Sequence, residues 1–316
     1  MDRTFDCIFN NVVCIGIAVA VKFAQPARIP AIRPVPLTER IPPHAFFITS
    51  ALFHYLGPAF AVLLFSYVAP LGVAWLRIIV AAVIFACWRA PWRILNSLRS
   101  ADLLLIVLLG VTLALMNCVF YLAIERLPLG TVGAIEFLGP VGLAAAGMRT
   151  RRNFAALGLA AAGVFILTEV RIAGDPLGYV FAFLNCAGFI GYVILGHRIA
   201  QHGGVSGIDR LAAAMLVASV AALPIGIHDA LPAFSSLPLL GAAIGVGLSS
   251  SVIPYVCDQL AMARLPRATF ALMLALLPAT ASIVGIVVLR QVPSIPEVCG
   301  IALVIIGVAL HRPNQK

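Results

Sequence analysis

From residue 44 to residue 311 the chain is a succession of apolar stretches of about twenty residues, broken by brief segments rich in Arg, Pro, Gly and Ser. A helix rising 1.5 Å per residue needs ~20 mostly apolar residues to cross ~30 Å of hydrocarbon. The pattern therefore predicts membrane helices near 45–68, 71–88, 102–124, 128–148, 153–170, 176–197, 208–227, 237–260, 266–289 and 297–311. The connectors are too short to hold a soluble domain. Residues 1–43 break the pattern with an apolar run, Ile8 to Val21, that contains Asn10 and Asn11, followed by a proline-rich stretch to Pro43. That run is short for a span, and Asp2 and Asp6 beside Arg3 make a poor positive flank for a signal peptide. It reads as a disordered cytoplasmic extension or as the product of an upstream start codon.

Within the apolar pattern lies an internal repeat. Leu122 to Pro140 (LAIERLPLGTVGAIEFLGP) aligns without gaps on Leu260 to Pro278 (LAMARLPRATFALMLALLP), 138 residues on, with eight of nineteen positions identical. The matches include Arg126 with Arg264, Pro128 with Pro266, Thr131 with Thr269 and Pro140 with Pro278, residue types that apolar bias does not supply. Five helices per copy is an odd number, so the second copy enters the membrane from the opposite side. The expected fold is an all-α polytopic membrane protein of about ten transmembrane helices in two inverted five-helix repeats, residues 44–173 and 174–311, with a short tail at 312–316. Inverted repeats of this kind hold substrate near the midplane of secondary carriers.

Composition agrees with the pattern: 62% of residues are hydrophobic and 10% charged, against roughly 25% charged in soluble domains. The net charge of +9 does not point to nucleic acid, because the arginines stand singly or in threes at helix ends. With the N-terminus inside, the inner connectors and the C-terminal tail hold twelve Arg and Lys residues against three outside. Both termini are then cytoplasmic. The seven cysteines form no CxxC, and no Walker A loop, HExxH or GxSxG occurs. No metal, cofactor or catalytic set is expected. A membrane-embedded enzyme and a non-transporting sensor or scaffold are the competing readings.

The polar residues within the spans carry the candidate chemistry. Glu136 lies eight residues past Pro128, about 12 Å into helix 4, and Arg77 lies at a similar depth. Arg77 is expected to balance Glu136 or to grip a substrate carboxylate. Asn117 with Tyr121, and Tyr255 with Gln259, are matching polar pairs at i, i+4 in helices 3 and 8. Pro140, Pro254 and Pro278 each deprive the carbonyl four residues earlier of its donor. For Pro140 that carbonyl belongs to Glu136 itself, and for Pro254 it belongs to Ser250, with Asp258 one turn on. A polar lining on helices 3, 4, 8 and 9 follows, with Glu136 as the proton-responsive group. Asp258, six residues before Arg264, is expected to be solvated near the inner interface and to be the next coupling candidate. Glu125 with Arg126 and Glu169 with Arg171 read as interfacial anchors. Gly241 and Gly245 form a GxxxG expected to mediate close helix packing.

The segments VAWLR (Val73 to Arg77), NCVFYLAIERLPLGTVGAIEFLGP (Asn117 to Pro140) and PYVCDQLAMARLPRATF (Pro254 to Phe270) resemble those of EamA-type carriers of the drug/metabolite transporter superfamily. Within that family they are most similar to the threonine/homoserine exporter subgroup. The resemblance implies export of small amino acids or related metabolites, with proton exchange as the driving force. A small-molecule substrate and membrane lipid are then the partners, with room for a homodimer. Three positions depart from the family's pattern. Leu276, Leu277 and Pro278 stand where Met-Glu-Pro is expected, Gln291 replaces an acid, and Val62 stands where similar sequences carry Lys.

Overall fold

In the computed structural model the residues described are 42–95, 98–146, 150–169, 175–201, 207–265, 270 and 276–310. Among these residues every regular element is helical. The main helices are α1 (Pro43–Leu64), α2 (Pro70–Arg89), α3 (Ser100–Arg126), α4 (Leu129–Ala146), α5 (Arg151–Glu169), α6 (Pro176–Gln201), α7 (Gly207–Ala230), α8 (Leu237–Met262), α9 (Leu276–Leu289) and α10 (Ile295–Leu310). Six of them, α1, α2, α3, α6, α7 and α8, are long and apolar enough to cross a membrane. The spans expected from the apolar pattern coincide with these helices to within a few residues, and the start of the ninth, 266–275, lies largely outside the described residues. The expected N-terminal extension also lies outside them, apart from its last two residues. A single turn at Trp92–Leu95 and a 3₁₀ turn at Leu231–Ser235 were not expected from the sequence.

The surface is apolar and the interior carries the polar groups. On α3, Leu104, Val107, Leu108, Val111 and Leu115 form an exposed stripe, while Asn117 and Tyr121 face inward among buried apolar residues. Exposed leucines and valines on one face with buried amides on the other are what hydrocarbon solvent demands, since a polar group turned to lipid has no partner.

Packing fixes which helices meet. Helix α2 lies along α7, α4 along α9, and α5 along α10. Helix α3 packs on α6 and α7, as α8 packs on α1 and α2, and α4 meets α6 as α9 meets α1. Helix ends are pinned by ion pairs: Arg89 with Asp209 joins α2 to α7, and Arg126 reaches both Glu125 and, at 3.2 Å, Asp175 at the head of α6. The side chains of Glu169 and Arg171 lie outside the described residues.

Helix α8 is irregular where it matters. It runs α-helical over Leu237–Gly247, widens into a π turn at Leu248–Val252, and resumes over Ile253–Met262. The π turn comes just before Pro254, whose nitrogen has no hydrogen to give the carbonyl of Ser250. Gly57 of α1 packs against this turn, and a Cβ there would fall 2.4 Å from Cβ of Ser250 and 2.6 Å from its backbone. Gly57→Ala is therefore expected to force α1 from α8 and destabilise the fold by about 1–3 kcal/mol. The readout is a lowered unfolding midpoint of the purified protein in detergent, and an unchanged midpoint would refute the contact. The GxxxG expectation is corrected: a Cβ at Gly241 would meet nothing within 4 Å, so that position faces open space rather than a neighbouring helix.

Candidate functional site

The buried carboxylate of Glu136, on α4, is held from two sides. Tyr55 of α1 donates its hydroxyl to Oε2 at 2.8 Å, and Asn185 of α6 donates Nδ2 to Oε1 at 2.9 Å. The imidazole Nε2 of His54 stands 3.7 Å from Oε2. Only 2% of Glu136 is exposed, and each carboxylate oxygen has a donor, as a buried acid requires.

Arg77 of α2 does not pair with Glu136; among the described residues no ion pair joins the two. Its Nη2 donates to the carbonyl of Ser250, the very group that Pro254 leaves without a donor, and its Nε donates to Oγ of Ser251 at 2.9 Å. The guanidinium also lies over the ring of Tyr121, 5.3 Å from its centroid. The expected Arg77–Glu136 balance is thus corrected: the fork is spent first on the π turn of α8. Both residues nevertheless line one small void, together with His54, Asn117, Asn185 and Tyr255.

Asp258 is not solvated, as its nearness to Arg264 suggested. It is 5% exposed, accepts from Ser50 of α1, and accepts from Tyr192 of α6 at 2.7 Å. The reason is local: α1 and α6 close over this end of α8, and a second void beside Asp258 is walled by Phe47, Phe189, Phe270 and Leu277. The two i, i+4 polar pairs are buried as well. Asn117 donates to the carbonyl of Leu113 and, at 3.1 Å, to the hydroxyl of Tyr255 across the helix interface. The hydroxyl of Tyr121 and the amide of Gln259 are buried without hydrogen-bond partners among the described residues. Oγ of Ser250 donates back to Val246. Helices α4 and α9 run through Pro140 and Pro278, but the side chains of these two prolines lie outside the described residues.

A larger cavity, about 360 Å³, lies elsewhere, among the C-terminal ends of α1, α3 and α9 and the starts of α4 and α10. Its wall includes Val62, Thr131, Gln291 and the buried Glu297. Thr131, on its wall, is five residues from Glu136 on the same helix, about 7.5 Å along the helix axis. Gln291 also caps α4, its Oε1 accepting from the backbone of Leu129 at 3.2 Å.

Sequence reasoning missed Ser50, His54, Tyr55, Asn185, Tyr192 and Ser251. Each is a polar residue inside an apolar stretch, the one signal that could have singled it out.

Residues 176–311 match the EamA-like transporter family. The chain is 31% identical over 244 residues to the threonine/homoserine exporter RhtA of Escherichia coli K12, covering 74% of this chain and 79% of that protein. RhtA of Salmonella typhimurium LT2 is 31% identical over 242 residues, with the same coverage. A solved crystal structure, 19% identical, shares the fold with a TM-score of 0.55, covering 85% of this chain and 95% of that one.

Proposed function

Since the chain belongs to the EamA-like transporter family, and is a multi-pass membrane protein, we propose that it is a secondary carrier exporting a small amino acid or related zwitterion in exchange for a proton. The observation that carries this reading is Glu136: a buried carboxylate, set among three helices by a tyrosine and an amide, with a histidine imidazole 3.7 Å away. Such a group can change protonation as the site opens to either side. Arg77 shares its void, so amine and carboxylate of a zwitterion have complementary charges to meet once that void opens. The 360 Å³ cavity is of the size that small-molecule sites occupy, and serves as the vestibule. The relatives' printed names make threonine and homoserine the first substrates to try.

The architecture proposed with this function is ten spans in two inverted repeats. Adding five to each helix label maps the main helix pairs onto one another: α3 on α6 becomes α8 on α1, α3 on α7 becomes α8 on α2, and α2 on α7 maps onto itself. Asn117 bonds Tyr255, its own counterpart at the 138-residue offset, as expected of residues flanking a pseudo-two-fold axis. These two features support the repeat.

The test is uptake of labelled amino acids into proteoliposomes under an imposed pH gradient. Accumulation that a protonophore collapses is the expected result; absence of both driven uptake and counterflow for every small amino acid tried overturns the reading. The orientation is tested separately. Twelve basic residues against three place both termini inside, so a cysteine introduced at Asn314 should react with an impermeant reagent only after permeabilisation. Labelling in intact cells would reverse the topology.

A further inference from the structure

Three consecutive polar groups of α1 serve two buried carboxylates. Ser50 reaches Asp258, Tyr55 reaches Glu136, and His54 stands between the two carboxylates. Its ring lines both small voids, the one beside Asp258 and the one beside Glu136. Each void has about 10 Å³ of room, on the order of a single water. Edge contacts with Tyr55 and Phe189, at centroid distances of 5.2 and 6.0 Å, hold the ring in that position. Ser50 and His54 lie at i, i+4, so the histidine is one turn further along α1 than the group that binds Asp258.

Resting on the reading of Glu136 as the proton-responsive group, we propose that His54 is a second proton-carrying site, which passes protons between Asp258 and Glu136. An imidazole can accept a proton at one ring nitrogen and release one from the other. In one direction the carboxylic acid of Asp258 gives its proton to the ring, leaving carboxylate and imidazolium. The imidazolium then gives a proton to the carboxylate of Glu136 and returns to the neutral ring. The reverse sequence returns the proton, and direct contact at the second void or one bridging water completes the path. The charged and titratable groups facing His54 are Glu136 on α4, Asp258 and Tyr255 on α8, Arg77 on α2, Tyr192 on α6, and Tyr55 on α1 itself. Helix α9 contributes Leu277. Histidine is the side chain among these whose ordinary titration falls between pH 5 and 8, the interval in which an inward proton gradient operates.

The experiment compares full-length wild type, His54→Gln and His54→Asn in proteoliposomes with labelled threonine and homoserine. Two modes are measured: counterflow at equal pH, which needs no net proton movement, and accumulation driven by a pH gradient. If His54 relays protons, driven accumulation falls toward unity from the roughly fifty-fold that 100 mV can sustain. Its pH profile flattens between pH 5 and 8, and counterflow persists at a reduced rate. Either variant with wild-type driven transport and pH profile overturns the assignment. Loss of counterflow in both variants also overturns it, because His54 is then structural. A wild type that performs counterflow but ignores the pH gradient overturns the proton-exchange reading beneath it, a result distinct from the other two.

Discussion

Glu136→Gln is expected to abolish pH-driven export while the protein still folds. The reason for folding lies in the partners. The carboxylate accepts from Tyr55 on one oxygen and from Asn185 on the other. A glutamine keeps one acceptor and turns the other into a donor. A tyrosine hydroxyl can accept as well as donate, and Oδ1 of Asn185 has no partner among the described residues, so a flip of that amide meets the new N–H₂. Either way both contacts survive and one buried donor, the Tyr55 O–H or the Asn185 N–H₂, is left without an acceptor, at a cost of about 1–3 kcal/mol that does not by itself unfold a protein of ordinary stability. The reason for lost coupling is charge. One elementary charge moved through 100 mV is worth about 2.3 kcal/mol, which supports roughly a fifty-fold gradient of a neutral zwitterion exchanged one for one with a proton. With no titratable group at position 136 that ratio should fall to one. The repeat offers no substitute, since the counterpart 138 residues on is Leu274. Reconstituted variant and wild type, compared under the same gradient, decide the matter. Wild-type rate and pH dependence in the Gln variant would make Glu136 structural and move the search to Asp258.

How much of this was legible depends on the distance along the chain over which each feature is set. Helix positions were legible because hydrophobicity over a window of about twenty residues sets them. Glu136 and Arg77 were visible as single ionisable groups deep in apolar runs. Their partners were not, because nothing local links Tyr55 to Glu136, 81 positions apart, or Tyr192 to Asp258, 66 apart. The carbonyl that Pro254 strips of its donor was readable from one residue's chemistry, yet the group that takes it, Arg77, lies 173 positions away. Asp258 was misplaced for a similar reason. Its nearness to Arg264 is a one-dimensional fact, whereas its burial depends on α1 and α6 closing over it. The departures at Val62 and Gln291 lie in different halves of the sequence, and both line the same 360 Å³ cavity. An uncharged pair there replaces the Lys and the acid that similar sequences suggest, so this vestibule carries two fewer ionisable groups than the resemblance implied.

Arg77→Ala should cost stability, and Pro254→Ala should restore part of it. Arg77 is 4% exposed and donates to Ser250's carbonyl and Ser251's hydroxyl. Truncation removes both donors and the cation above Tyr121, leaving at the π turn a buried carbonyl with nothing to bind, which costs about 1–3 kcal/mol. Lysine is a poor replacement, because one ammonium cannot reproduce the planar fork that meets two acceptors at once. The proline four residues on has no N–H to give the carbonyl of Ser250. Alanine at 254 supplies that N–H. In the wild-type background, where Arg77 already serves the carbonyl, Pro254→Ala should change little. In the Arg77→Ala background it should recover stability, so the double-mutant cycle gives a coupling of about 1 kcal/mol or more. Unfolding midpoints of the four proteins in detergent measure it. Additive effects would show that Arg77 does not replace the donor that Pro254 lacks, and its burial would then have to be explained through the void it shares with Glu136.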